Sequence, residues 1–193
     1  MRNTHSNTAQ FVTASDRLVR LVVEEALSLL PTTRVTVQTP CGTYDGVALP
    51  DESEMCAVSI LRAADCMTGV MRTIMPSISV GKILIQRDET TALPIVIYAK
   101  LPQNIANKYI LLHDPMLATG GSVIKAMDIL VKAGVKEDRV IFINLVCCAE
   151  GVAALHLAYP NVQVITSAID PILDERKYIV PGLGDFGDRY FGT

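Results

Sequence analysis

The segment Leu111-Leu-His-Asp-Pro-Met-Leu-Ala-Thr-Gly-Gly-Ser122 decides the fold and carries the clearest sign of function. An apolar strand runs into Asp114, a tight loop follows, and Thr119 to Ser122 opens a helix that extends to about Ala133. The two adjacent glycines let backbone N–H groups approach an anion, and the helix start adds its partial positive charge. We therefore expect a cradle for a phosphate monoester. An ionised Asp114 only accepts hydrogen bonds, which suits the vicinal hydroxyls of a ribose.

Strands and helices alternate along the rest of the chain. This alternation predicts a parallel sheet with both faces covered, in one α/β domain over residues 1–193. A capping box over Thr13–Asp16 is predicted to start the first helix, and a turn is predicted over 41–46. The other predicted helices are 65–74, 122–133 and 150–158, and the predicted strands are 34–38, 55–61, 80–85, 93–99, 109–112, 139–146 and 162–166.

Composition excludes several classes of protein. Half of the 193 residues are hydrophobic, 19% are charged and the formal net charge is −3, which is typical of a globular domain and not of a disordered or coiled-coil chain. An acidic chain is a poor candidate for nucleic-acid binding. The five cysteines form no C-x-x-C pattern, so we expect no zinc site, reduced thiols and a cytoplasmic protein. The longest apolar run, 140–149, is interrupted by Asn144 and is far shorter than the ~20 residues of a membrane span, and no signal peptide is visible.

The phosphate loop resembles the 5-phosphoribosyl 1-diphosphate (PRPP) loop of uracil phosphoribosyltransferases, a family of type I phosphoribosyltransferases. The resemblance covers about Thr13 to Thr193 and implies a protruding β-arm over 88–108 and a C-terminal base-binding hood over 167–193, with 1–12 expected to be flexible. It implies that the whole loop binds PRPP, through Asp114, Pro115, Met116, Leu117, Ala118, Thr119, Gly120, Gly121 and Ser122.

The chain ends in a second informative segment, Ile179-Val-Pro-Gly-Leu-Gly-Asp-Phe-Gly-Asp-Arg-Tyr-Phe-Gly-Thr193. Its Gly-x-Gly-x-x-Gly pattern is not a dinucleotide fingerprint, because no helix and second strand can follow it. A folded loop of this kind can present backbone groups to the edge of a flat base. The segment resembles the family's uracil loop, which implies that Ile179, Gly184 and Phe186 contact uracil through main-chain atoms. By the same resemblance Asp185 lies against both the ribosyl donor and the base.

Arginines follow two of the predicted strands. Arg62 comes just after one strand and Arg87 ends another, and a guanidinium can engage two diphosphate oxygens at once. The two match the PRPP-contacting arginines of the family, so the expected catalytic residues are Arg62, Arg87 and Asp185. The sequence departs from the family pattern at Ser59 and Ala64, near the first of these arginines.

The resemblance implies that uracil and PRPP are converted to UMP and diphosphate. Mg²⁺ is expected to bind mainly through PRPP, with no protein ligand, and a homo-oligomer (dimer or tetramer) is expected, with GTP as a candidate effector. Two alternatives stay open at this point. One is a catalytically weak homologue that binds UMP or uracil as a regulator, which the changes at Ser59 and Ala64 motivate. The other is a different pyrimidine such as orotate, whose carboxylate would need a cation such as Arg176, Lys177 or Arg189.

Overall fold

The structure is a computed structural model that describes residues 1–87 and 94–193, and of Arg87 only the backbone. The first six residues of the predicted β-arm, 88–93, therefore lie outside the described residues. The helices are α1 (Thr8–Leu27), α2 (Asp65–Ile74), α3 (Gly121–Lys132), α4 (Ala149–Ala158) and α5 (Phe186–Phe191). The strands are β1 (Thr33–Thr39), β2 (Gly42–Ala48), β3 (Met55–Leu61), β4 (Ser79–Arg87), β5 (Pro94–Lys100), β6 (Tyr109–His113), β7 (Met116–Leu117), β8 (Val140–Cys148), β9 (Gln163–Asp170), β10 (Ile172–Leu173) and β11 (Ile179–Val180).

Seven strands form the central sheet, which confirms the predicted single-domain α/β fold. Strands β4, β3, β6, β8 and β9 lie side by side and parallel, with the short β7 extending the β6 position along β8. The edge strand β5 runs antiparallel to β4. Two small hairpins, β1–β2 and β10–β11, lie outside this sheet. Because the central strands are parallel, their carboxyl ends meet at one edge, where ligands of such folds bind.

Helices cover both faces of the sheet, as expected for parallel strands with few polar residues. Each face of the sheet has its own hydrophobic core, and successive side chains of β3 point alternately into the two. Met55 and Ala57 pack in the core with α1 and α2, and Cys56 and Val58 pack in the core with α3. The strand β8 is buried at all nine positions. No helix in residues 1–87 or 94–193 is long and apolar enough to cross a membrane.

Two local predictions are wrong. Helix α1 begins at Thr8, where Asn7 and Gln10 form a reciprocal capping box, and not at Thr13–Asp16. The Thr13 and Ser15 hydroxyls donate to the carbonyls four residues earlier, so these residues lie inside the helix. The segment 41–46 is predicted as a turn, but its residues from Gly42 onward belong to β2, because pairing with β1 outweighs their low strand preference.

Candidate active site

The two segments that stand out in the sequence meet at one cleft. The cleft lies at the carboxyl edge of the sheet and has a volume of about 400 Å³. One wall comes from the loop after β6 and from Ala63 after β3, and the other comes from the C-terminal segment. The lining residues are Ala63, Asp114, Met116, Ala118, Arg176, Lys177, Tyr178, Ile179, Gly184, Asp185, Phe186 and Gly187.

The loop 114–118 alternates between the cleft and the protein interior. Asp114, Met116 and Ala118 line the cleft. Pro115 is buried, and its carbonyl accepts hydrogen bonds from two consecutive N–H groups of β8. Leu117 is 2% exposed and packs in the core on the α3 side. Of the predicted PRPP-binding residues in this stretch, three therefore face the cleft, while Pro115 and Leu117 fix the loop to the sheet.

The start of α3 follows directly, at residues 119–122. Gly120 occupies the N-cap position with φ +84°, a left-handed conformation that side chains rarely adopt. Its position is also tight, because a Cβ there would lie 3.0 Å from the carbonyl oxygen of Gly151. Thr119, Gly121 and Ser122 are partly exposed, and no side chain caps the helix. The first N–H groups of α3 therefore have no side-chain cap, and their binding of a phosphate stays a prediction.

Asp114 is partly exposed at the cleft, with much of its carboxyl group surrounded by protein. Its side chain receives one hydrogen bond from a described protein group, from the Met116 N–H to Oδ1 (3.2 Å). Burial raises the pKa of Asp114 to about 7. Near neutral pH the group is therefore poised between its neutral and charged forms, and a hydroxyl-bearing or cationic ligand would favour the charged form.

The C-terminal segment presents mainly backbone to the cleft. Ile179 is 5% exposed and Phe186 is 2% exposed, and the Phe186 ring lies between Phe11 (centroids 5.2 Å apart) and Tyr190 (5.7 Å). Gly184 has no side chain and lies at φ +83°. Asp185 is exposed and caps α5 by accepting the Asp188 N–H at 2.9 Å. All four predicted uracil contacts line the cleft, with the Phe186 ring directed into the core.

Of the predicted arginines, the structure describes one side chain. Arg62 Nη2 pairs with the Asp188 carboxylate at 2.5 Å, and Nη1 donates to the Thr193 hydroxyl at 3.2 Å. The guanidinium also lies 5.9 Å from the centre of the Phe191 ring. Arg62 is thus turned toward the C-terminal helix and is about half exposed. Arg87 ends β4, as predicted, and its side chain lies outside the described atoms.

Sequence reasoning missed residues that do not line the cleft but hydrogen-bond to the segments that do. The buried Asn144 Nδ2 donates to the Asp114 carbonyl (2.9 Å), and Asn144 Oδ1 accepts from the Thr166 hydroxyl (2.8 Å). The signal was present, since Asn144 is the polar residue that interrupts an apolar run. Asp170 and its partner Arg2 were also unassigned, and no local pattern connects residues so far apart in sequence.

Comparisons with known proteins show the family and the fold of this chain. The family model for uracil phosphoribosyltransferase matches residues 1–193. A uracil phosphoribosyltransferase of Dictyostelium discoideum is 50% identical over 194 residues, covering all of this chain and 89% of that protein. The structure of the AQ2163 protein of Aquifex aeolicus superposes with a TM-score of 0.88 at 28% identity, covering 100% and 90% of the two chains. A purine phosphoribosyltransferase of Pyrococcus horikoshii shares the fold, with a TM-score of 0.53 at 12% identity and coverage of 89% and 88%.

Proposed function

The chain belongs to the uracil phosphoribosyltransferase family, and we propose that its cleft binds PRPP on residues 114–122 and uracil on residues 179–186. The enzyme is a pentosyltransferase that converts uracil and PRPP to UMP and diphosphate. The observation that supports this assignment of subsites is one cleft of about 400 Å³ that is lined by Asp114, Met116 and Ala118 and by the C-terminal segment. The start of α3 follows Ala118 directly in the chain. A cleft of this size suits a nucleotide-sized ligand.

The PRPP side is assigned from its donors and acceptor. The open N–H groups at the start of α3, with the Thr119 and Ser122 hydroxyls, bind the 5-phosphate. The ionised Asp114 accepts hydrogen bonds from the ribose hydroxyls. Because PRPP brings hydroxyl donors to this carboxylate, its binding favours the charged form of Asp114.

Bond exchange takes place at the anomeric carbon. The bond from C1 to the diphosphate oxygen breaks, uracil N1 forms the new bond to C1, and the N1 proton is released. Arg62 and Arg87 stabilise the negative charge that develops on the departing diphosphate. In the structure Arg62 is paired with Asp188, so it exchanges this carboxylate for diphosphate when PRPP binds. Asp185, at the cleft, faces the ribosyl donor and holds it in line with the base.

Mg²⁺ fits this site as a partner of the substrate. No group of three or more His, Cys, Asp or Glu side chains suited to a metal occurs among residues 1–87 and 94–193. The carboxylates that line the cleft are Asp114 and Asp185, one on each wall. We propose that the ion binds through PRPP oxygens and water, where it would neutralise the charge of the leaving diphosphate.

The structure bears differently on the two alternatives from the sequence. Ala64 has φ −71° and ψ −8°, an ordinary conformation in which alanine replaces glycine without strain, and Ser59 is buried inside β3. Ala64, one of the two residues that motivated a regulatory, weakly active homologue, therefore introduces no backbone strain of its own beside Arg62. Arg176 and Lys177 do line the cleft, so orotate is the informative control base.

Further expectations from the family resemblance are also proposals. We propose a cytoplasmic homo-oligomer, a dimer or tetramer, with GTP as a candidate effector. Light scattering after size-exclusion chromatography, with and without GTP, measures both the assembly and its response.

The test of the function is direct. Purified protein is mixed with Mg²⁺, PRPP and labelled uracil, and UMP is separated from the base; parallel reactions contain orotate or cytosine. We expect a nucleotide product in the reaction with uracil and none in the reactions with orotate or cytosine. Arg87→Ala and Asp185→Asn should each reduce the rate sharply, with exposed Asp138→Asn as the control. Full activity in both variants would overturn the site assignment, and no UMP from the unmodified protein would overturn the function.

A further inference from the structure

A buried carboxylate behind the base subsite has no role in the proposed chemistry. Asp170 ends β9, and its side chain is 7% exposed. Arg2 approaches it with both guanidinium nitrogens, Nη1 to Oδ2 at 2.7 Å and Nη2 to Oδ1 at 2.8 Å. This two-bond geometry is the strongest arrangement for an arginine–carboxylate pair. The pair joins the amino-terminal segment to the far end of the chain, 168 residues away.

The same ion pair holds both backbone polar groups of one residue in the C-terminal segment. The Gly182 N–H donates to Asp170 Oδ2 at 2.9 Å, and the Gly182 carbonyl accepts from Arg2 Nη1 at 3.0 Å. Gly182 adopts φ +53°, and a Cβ at this position would overlap the carbonyl oxygen of Ile179. The chain thus turns tightly at Gly182, and the ion pair binds the backbone at this position through two hydrogen bonds.

Gly182 lies between the residues assigned to the base. Ile179 precedes it by three positions and Gly184 follows it by two, and both line the cleft. Recognition of a base by main-chain groups requires those groups to be fixed before the base arrives. The hairpin β10–β11 gives little rigidity of its own, since it has two residues in each strand and lies outside the central sheet.

Other contacts hold the segment further along, on the side of α5. Arg189 donates to the Leu183 and Asn3 carbonyls at 2.7 Å each, and the Tyr190 hydroxyl donates to Asp16 at 2.7 Å. These contacts secure the start and body of α5. The turn at Gly182 is held by the Arg2–Asp170 pair.

We propose that Arg2 and Asp170 are positioning residues for the base subsite: their ion pair fixes Gly182 so that the backbone groups of 179–184 meet the edge of the pyrimidine. This inference rests on the proposed function of that segment. The pair sets affinity for the base and leaves the phosphate and ribose contacts of residues 114–122 unchanged. Removing one partner has a large effect, because it leaves the other charge in a partly buried place without its counter-ion.

The experiment compares Arg2→Ala, Arg2→Lys and Asp170→Asn with Arg17→Ala, which removes an exposed arginine on α1. For Arg2→Ala and Asp170→Asn, KM for uracil should rise about tenfold or more, while KM for PRPP stays within about twofold of the unmodified enzyme. Arg2→Lys keeps the charge but loses the paired geometry, so it should fall between Arg2→Ala and the unmodified enzyme. Arg17→Ala should leave both KM values unchanged.

A binding measurement separates this inference from the proposed function. Calorimetry with UMP and with ribose 5-phosphate is expected to show weaker UMP binding in the variants and equal binding of ribose 5-phosphate. A purely structural role would lower the thermal midpoint and the active fraction but leave the uracil KM and the UMP affinity of the folded fraction unchanged, which would overturn the inference. Where Arg2→Ala is unfolded at the assay temperature, the same criteria apply to Arg2→Lys and Asp170→Asn. If the unmodified enzyme forms no UMP, the proposed function is wrong. The two calorimetric measurements, with UMP and with ribose 5-phosphate, decide the role of the ion pair.

Discussion

Replacement of Asp114 by asparagine should stabilise the ligand-free protein and at the same time reduce PRPP use. Asparagine has the shape of the protonated acid and carries no charge at any pH. In the folded chain burial raises the pKa of Asp114 to about 7, above the 3.8 of an ordinary aspartate. Such a carboxyl has a higher pKa in the folded chain than in the unfolded chain. Its full contribution to the unfolding free energy is present below the unfolded pKa, and this contribution is lost as pH rises to the folded pKa. The unmodified protein should therefore lose stability between about pH 4 and pH 7 through this group.

The size of the effect follows from the same two pKa values of Asp114. A tenfold change in proton affinity corresponds to about 1.4 kcal/mol, so this carboxyl removes up to about 3 kcal/mol of unfolding free energy between pH 5 and pH 8. This is an upper bound, because the carboxyl faces the open cleft and water reaches it. Asp114→Asn carries no ionisable group at this position, so its stability advantage over the unmodified protein should grow from pH 5 to about pH 7 and then level off.

Urea denaturation at pH 5, 6, 7 and 8 measures this difference, with exposed Asp138→Asn as a matched control. In parallel, kcat/KM for PRPP should fall sharply in Asp114→Asn, because the ribose loses its charged acceptor. A stability difference between Asp114→Asn and the unmodified protein that is the same at all four pH values would refute the reasoning. So would a pH-dependent difference of equal size in the Asp138→Asn control.

Three further substitutions test the packing behind the cleft. Phe186→Ala should lower the unfolding free energy by about 3 kcal/mol, measured by urea denaturation, because the ring is 2% exposed in the core; an unchanged midpoint would contradict the packing. Asn144→Ala leaves the Asp114 carbonyl without its donor, so stability should fall by about 1–3 kcal/mol and KM for PRPP should rise; an unchanged KM would show that the loop does not depend on this bond. Asp188→Asn releases Arg62 from its exposed ion pair, so KM for PRPP should fall with no change in the thermal midpoint; a higher KM would mean that the pair positions the arginine and does not compete for it.

Sequence alone predicted the parts of the fold whose signals are local. The strand Met55–Leu61 and the helix Asp65–Ile74 have the predicted bounds, because an unbroken apolar run and a helical repeat each lie within one element. The candidate phosphate loop stands out in the sequence for the same reason: strand, carboxylate, glycines and helix start lie within the twelve residues 111–122. The structure confirms the fold and joins the loop to the C-terminal segment, while the roles of the individual residues stay predictions.

Where sequence reasoning was wrong, a local signal was outweighed by a partner outside the local pattern. The hydroxyls of Thr13 and Ser15 look like caps in the sequence, yet each is satisfied by a carbonyl one turn earlier in a helix that already began at Thr8. In β2, two glycines and an aspartate indicate a turn, yet all seven residues of Gly42–Ala48 pair in register with β1. In both places the decisive partner lies outside the window that the pattern covers.

The residues that hold the base subsite are the hardest to find in a sequence, and main-chain recognition explains why. The Phe186 ring points into the core while its backbone lines the cleft, so the nature of this side chain says little about the ligand. When the backbone does the recognising, selectivity depends on whatever fixes the backbone. On the proposal made above, the groups that fix it are Arg2 and Asp170, which are 168 residues apart in sequence and meet at the end of β9. On this proposal, affinity for the base depends on two anchor residues that lie outside the set assigned to contact it.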